Sequence, residues 1–286
     1  MLSFNDTLQK YSDSLDRHLH FIQIGCNDGS MADPINQMVI NNCWKGLFVD
    51  ADIFYLQKAA NFYNENWSHN IKDMKLAWYH SAVVTLEEQK TNSTKFKNFY
   101  SIKPDAIRPQ RIIDTNNKCW WVYHTHDNNI QFLIPTRHDR SVVDHNPFDY
   151  LQGIGSLDYN FAMMHIQNAI NKDHWSSAHA KIIFTEDVEN HKKFIKTQRV
   201  PCITINDCFD LSGFQQLDLL QTDMEHWDVK ILGDIAEFKL RPNFIHFEAP
   251  NGVRDVLVEK FSKCGYKVIK TDRDHLAILN GVLDDT

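Results

Sequence analysis

The sequence predicts an α/β fold with a mostly parallel sheet, on three observations. Short apolar strands alternate with helix-spaced segments at both ends of the chain, a glycine-rich turn follows the first strand, and an acid ends the second. Such alternation implies right-handed parallel βαβ units. The chain has 286 residues, 43% hydrophobic and 23% charged. That suits one large domain, or one domain with an insertion, and is apolar enough for a core.

The elements follow in order. Asp6 to Arg17 reads as a short N-terminal helix or lead-in, and His20 to Gly25 as a strand running into a glycine turn. Asp33 is placed to cap a helix and Pro34 to occupy its first position, with Ile35, Met38, Val39 and Cys43 on one face. Gly46 to Asp50 is a second strand, Ile53 to Tyr63 has helical spacing, and Lys75 to Val84 is a third strand.

Regularity is lost from about Glu87 to His165, a stretch with four prolines (Pro104, Pro109, Pro135, Pro147). Inside it Lys118 to His124 and Ile130 to Thr136 alternate around an Asp-Asn-Asn turn, which predicts a β-hairpin within an insertion at about 87–165 of a single 1–286 domain. Such insertions carry specificity, because the scaffold tolerates loop change. Val200 to Ile205 then reads as a short edge strand and Leu217 to Asp223 as an apolar strand. Trp227, Ile231, Ile235 and Phe238 mark a helix face, and Asn243 to Glu248 is another strand. Val253 to Cys264 is a helix stopped at Gly265, and Tyr266 to Lys270 with His275 to Asn280 forms a terminal antiparallel hairpin.

Composition narrows the function classes. The net charge of −7 is spread along the chain, which argues against nucleic-acid binding on a broad basic surface. The basic segments His191-Lys192-Lys193 and Lys267 to Lys270 read as solvated faces. No apolar run approaches a membrane span, and Met1 to Gln9 lacks the basic-then-apolar order of a signal peptide. The six cysteines (Cys26, Cys43, Cys119, Cys202, Cys208, Cys264) form no CxxC pair. Buried free thiols and a reducing, cytoplasmic setting are expected.

The turn Ile24-Gly25-Cys26-Asn27-Asp28-Gly29-Ser30 carries the functional signal. Glycines at a strand end let a ligand approach the backbone, and the helix that follows presents free N–H groups. The turn departs from G-x-G-x-x-G, which weakens a dinucleotide reading and with it an NAD oxidoreductase. Asp50 ends the second strand about twenty residues on, where a carboxylate accepts ribose hydroxyls or caps the next helix.

In this stretch the sequence resembles the FkbM methyltransferase family, whose members read much like "IGANDG…DP…W.G..VEP". Here it runs Ile24 to Gly29, then Asp33-Pro34, then Trp44-Lys45-Gly46-Leu47-Phe48-Val49-Asp50. Cys26 stands for the usual Ala and Asp50-Ala51 for Glu-Pro. A later family signature, "LKIDVEGAE…L", is matched by Leu220 to Asp228 with Leu232 following. Further likeness lies in Gly155 to Asp158 with His165, Pro201 to Asp207, Arg241 to Glu248 and the closing hairpin. The resemblance does not extend over Glu87 to Asn146.

The resemblance implies a Rossmann-like class I methyltransferase sheet, mostly parallel with a C-terminal antiparallel hairpin. It implies S-adenosylmethionine as cofactor, with Gly25, Cys26, Asn27 and Gly29 lining its pocket and Asp50 holding its ribose. Asp223, at the end of the fourth strand, is expected to contact the methionine amino group, orient the acceptor or help bind a metal. Glu225, His226 and Glu248 are candidate bases. Glu225 is equally suited to greet a helix dipole, and His226, where the family has Gly, equally to the surface. Asp223 with Glu248 is the better site for Mg²⁺, ahead of His124 and His126 with Asp127 and His138 or His145. Trp120-Trp121 is suited to stacking on a sugar or to packing the hairpin.

The expected function is O-methylation of a sugar or small secondary metabolite, with a small-molecule or glycan acceptor as partner and neither nucleic acid nor membrane. The alternative is a non-catalytic nucleotide- or glycan-binding module on the same fold.

Overall fold

The computed structural model describes residues 3–30, 33–67, 75–91, 95–102, 108–113, 119–124, 131–135, 155–164, 195–225, 227–248, 254–271 and 274–283. The chain divides into two compact units, one of Met1–Asn98 with Arg199–Thr286 and one of Phe99–Gln198.

The first unit opens with helix α1 (Phe4–Ser14). It starts where it does because Ser3 and Asp6 form a reciprocal capping box, which satisfies two N–H groups the helix itself cannot. Strand β1 (His20–Ile24), helix α2 (Asn36–Asn42), strand β2 (Lys45–Asp50), helix α3 (Ile53–Asn66) and strand β3 (Leu76–His80) follow in βαβ order. After β4 (Ala82–Val84) and α4 (Leu86–Thr91), the chain enters the second unit along β5 (Phe96–Ile102) and leaves it along β10 (Ile195–Thr204). Helix α5 (Ile205–Ser212), strand β11 (Leu219–Thr222), helix α6 (Asp228–Leu232), a 3₁₀ turn (Ile235–Glu237), strand β12 (Phe244–Phe247), helix α7 (Arg254–Lys263) and strands β13 (Tyr266–Lys270) and β14 (His275–Leu279) complete it.

Seven strands form one sheet in the order β13-β14-β12-β11-β1-β2-β3. All neighbours from β12 to β3 run parallel, and only β14 is antiparallel to its neighbours β12 and β13. The winding reverses between β1 and β11, which is where open α/β sheets bind ligands beyond the strand ends. Phe21, Leu219, Phe244 and Ile278 stand in register across one face. With Phe48 they pack against Phe4, Leu8 and Tyr11 of α1, Met38 and Val39 of α2 and Ala59 and Tyr63 of α3. Burial on this scale is the main stabilising term of the unit.

Four elements differ from the sequence reading. The stretch Lys75 to Val84 is two strands, because Ser81 donates its N–H to Asp50 O at 2.9 Å and its hydroxyl to Pro201 O at 2.8 Å. The chain turns there, and β4 pairs with β10 instead of extending β3. The edge strand at Val200 begins earlier, at Ile195, and Ile205 opens α5 behind a second capping box, Thr204 with Asp207. The helix face from Trp227 to Phe238 is broken at Gly233-Asp234 into α6 and the 3₁₀ turn. Asp33 and Pro34 also precede α2 instead of starting it, and Asp33 accepts from Ile35 N at 2.9 Å.

In the second unit β6 (Arg108–Ile113), β7 (Cys119–His124) and β8 (Gln131–Pro135) form an antiparallel ladder, with Trp121 opposite Arg111 and Ile134. Strand β9 (Gly155–Ser156) pairs with Tyr100 and Ser101 of β5. The Asp-Asn-Asn turn and residues 136–150 lie outside the described residues, as do His126, Asp127, His138 and His145.

Candidate functional site

The site begins where β1 and β11 end side by side. Gly25 continues β1 by donating to Val49 O at 2.9 Å, and Asp223 continues β11 by donating to Ile24 O at 3.0 Å. Gly25 has φ +77, and an ideal Cβ on it would lie 1.8 Å from the Asp223 carbonyl oxygen. Only glycine meets both conditions, so the turn can lie flat against the end of β11. Gly29, with φ +72, lets the turn settle on α3, where a Cβ would stand 3.2 Å from Ala59 and Tyr63.

The turn is knitted internally. Gly29 N donates to Cys26 O at 3.0 Å, and Asp28 Oδ1 accepts from Ser30 N and its hydroxyl, both at 2.9 Å. Asn27 takes the left-handed conformation that asparagine tolerates, at φ +48. Its side-chain Oδ1 is buried with no hydrogen-bond partner, an acceptor held ready at the switch point. Cys26 turns its thiol into the core at 2% exposure, so its offer to a ligand is its backbone. Burial, followed by the charge of Asp50, pushes that thiol well above its usual range, which leaves it inert.

Asp50 is 8% exposed and joins three segments. Its Oδ2 accepts from Asn27 N at 3.1 Å and its Oδ1 from Asp52 N at 2.8 Å. The cap of α3 is Asp52, whose carboxylate accepts from Phe54 N, so Asp50 is not spent on capping. Burial raises the Asp50 pKa to about 6 against the lowering effect of those two N–H groups. Each carboxylate oxygen keeps accepting capacity for a further donor.

Beyond β11 lies an acidic turn. Asp223 is open to solvent yet crowded by protein, and Glu225 is partly buried with φ +51. Partial desolvation, then Asp228, Glu225, Glu248 and Asp274, push Asp223 well above the carboxylate range. Glu225 is raised to about 7 by burial, then by Glu248 and Asp228. The turn does not cap α6, whose first-turn acid is Asp228. Glu248 follows β12 and is exposed, so Asp223, Glu225 and Glu248 come together at adjacent strand ends. His226 lies outside the described residues.

Asp223 and Glu248 do end neighbouring strands, but the Mg²⁺ expectation finds no support. Among the described residues no three His, Cys, Asp or Glu side chains are grouped to hold a metal ion. The side chains of Trp120, Trp121 and His124 lie outside the described set.

Sequence reasoning missed the polar layer beneath the mouth. Gln23, Gln221 and His246 stand in register on β1, β11 and β12, all buried on the face covered by α1. Gln23 donates to Asp33 Oδ2 at 3.1 Å, and Gln221 Oε1 lies 2.7 Å from His246 Nδ1. Polar residues at alternate positions of otherwise apolar strands were the available signal. Asp228 was also missed. It is fully buried, and an acid in the first turn of a helix is the trace it leaves in sequence.

The arrangement suits a nucleoside cofactor with a cationic amino-acid tail. It offers a glycine turn, an unpaired buried Asn27 oxygen and carboxyl groups at the ends of β2 and β11. The family model for the methyltransferase FkbM domain matches residues 23–268, which spans both strand ends that build the site. No curated protein matches the chain. Among the described residues no helix is long and apolar enough to cross a membrane.

Proposed function

The chain belongs to the FkbM methyltransferase family, and from that premise we propose that it methylates a hydroxyl of a sugar or small secondary metabolite with S-adenosylmethionine. The observation that carries the reading is the joint between Gly25 and Asp223, a glycine turn set against an acid at the switch point. Family membership favours transfer over a binding module that has lost catalysis.

When bound, S-adenosylmethionine supplies a sulfonium methyl that an oxygen nucleophile takes by in-line displacement. The protein's part is alignment and proton transfer. Gly25 and Gly29 fold the turn against β11 and α3, the cofactor lies along the turn's backbone, that of Cys26 included, and Asn27 Oδ1 accepts one of its donors. Asp50 receives the ribose hydroxyls on the capacity its two backbone partners leave. Asp223 faces the ammonium or orients the acceptor. The acceptor's proton goes to a base among Glu225, His226 and Glu248. Glu225 is the best placed of these, since a group raised to about 7 accepts a proton readily near neutral pH. The reading places the protein in the cytoplasm.

Calorimetric titration with S-adenosylmethionine and S-adenosylhomocysteine tests the cofactor, and no heat from either ends the assignment. Transfer of labelled methyl to hydroxylated acceptors tests the chemistry. Labelling of amines but not of hydroxyls would replace oxygen as the target.

A further inference from the structure

The acidic turn after β11 is held from behind by a residue that faces no solvent. Asp228 is fully buried at the first position of α6, and its Oδ2 accepts the Met224 N–H at 3.0 Å. The Thr222 hydroxyl stands beside the same carboxylate. On the other side Trp227 N donates to Met224 O at 3.2 Å. Asp228 Oδ1 and the Thr222 hydroxyl are buried without a hydrogen-bond partner, so the bond from Met224 N is what ties this carboxylate to the segment that carries Asp223 and Glu225. Glu225 sits there at φ +51, which a residue with a side chain holds only when its surroundings fix it. The Met224–Asp228 bond spans that residue.

We propose that Asp228 is a positioning residue, whose hydrogen bond to Met224 holds the turn so that Glu225 presents its carboxylate to the sulfonium of the cofactor. Asp228 touches no ligand itself. The proposal rests on the methyltransferase reading. Its consequence is charge selectivity: the turn favours a sulfonium over the neutral thioether that remains after transfer.

Titration of the full chain with S-adenosylmethionine and S-adenosylhomocysteine separates the two ideas. If the unaltered protein binds neither, the methyltransferase reading itself fails. If it binds both, Asp228→Ala should weaken S-adenosylmethionine about tenfold or more and S-adenosylhomocysteine by less than about threefold. Asp228→Asn keeps an acceptor for Met224 N and a donor for Thr222, and should stay within about threefold of the unaltered protein for both ligands. Equal weakening of both ligands in Asp228→Ala, or an Asn variant as damaged as the Ala variant, overturns the proposal. Should Asp228→Ala not fold, Asp228→Leu fills the same space and lacks the acceptor for Met224 N. A loss confined to S-adenosylmethionine supports the role, and equal or absent loss refutes it.

Discussion

The carbonyl oxygen of Asp223 occupies the space that a side chain on Gly25 would need, 1.8 Å from an ideal Cβ. The two residues end the parallel strands β1 and β11, and each is bonded to the strand beside it. The glycine therefore permits the closest approach of the two loops that flank the switch point, and the site depends on that approach.

Gly25→Ala tests this directly. The methyl group would clash with backbone, which cannot swing aside as a side chain can, and φ +77 adds strain. The expected loss is about 3 kcal/mol or more of folding stability, with cofactor binding abolished in whatever folds. A variant that melts and titrates like the parent would show that the two loops are not in contact.

Much of this joint is legible in the sequence, because glycine and aspartate at strand ends leave strong local marks. Gly25, Asp50 and Asp223 all stand where strand reading puts them. What stayed hidden depends on contacts distant in sequence. Ser81 turns the chain through a bond to Pro201, 120 residues away, and no local pattern carries that. Gln221 and His246 meet only because β11 and β12 are neighbours. The helix at Ile205 is a different kind of miss, since Thr204-Ile-Asn-Asp207 spells a capping box that a strand assignment obscured.

Asp50→Ala should weaken S-adenosylmethionine binding by roughly 1.5–3 kcal/mol if the carboxylate accepts ribose hydroxyls. Asp50 also ties Asn27 N to Asp52 N, so part of the loss is turn geometry. Asp50→Asn preserves one acceptor and should fall between. Unchanged affinity in a folded Asp50→Ala variant removes the ribose role.

Binding should depend on pH through Glu225. Burial, then Glu248 and Asp228, hold it at about 7 in the free protein. A cation beside it favours the ionised form, so binding below that pH must expel a proton. Affinity for S-adenosylmethionine should therefore rise with pH through 7 and fall below it by up to about tenfold per pH unit. Calorimetry at pH 6 and 8 in buffers of different ionisation enthalpy counts the proton. A flat profile takes Glu225 out of the cation's surroundings.

A second buried acid, at the opposite end of the central strands, serves stability alone. Asp218 is fully buried and accepts from Arg17 at 2.7 and 2.8 Å, Tyr11 at 2.9 Å and His20 N at 2.8 Å. It ties α1 to the starts of β1 and β11. Asp218→Ala should cost about 2–4 kcal/mol, since it leaves Tyr11, His20 N and the half-buried Arg17 without their shared acceptor. Cofactor affinity of the folded fraction should not change. A denaturant melt with titration of the same sample reads both, and lost affinity without lost stability would contradict the division.

His246 gives stability an acid-side dependence of its own. The ring stacks on Phe4 at 4.0 Å, lies 2.7 Å from Gln221 Oε1 and is 2% exposed. Asp274 at 3.7 Å is too distant for a hydrogen bond, and burial, then the nearby His275, lowers the pKa to about 3. The folded chain thus keeps this imidazole neutral while the unfolded chain protonates it below about 6.5. Its contribution is present above that pH and is lost as pH falls, by about 2 kcal/mol at pH 5. Asp33, Asp50 and Asp228, each raised to about 6 by burial, act in the opposite sense. They take up protons on folding between pH 4 and 6, so their contribution grows as pH falls through that window. His246→Gln keeps a polar partner for Gln221 and removes the titration, while the stacking on Phe4 that it also loses is the same at every pH. Its unfolding free energy should therefore gain about 2 kcal/mol on the parent between pH 7.5 and 5. Parallel pH profiles for the two proteins would mean that the folded chain protonates His246, which would require Asp274 to close on the ring.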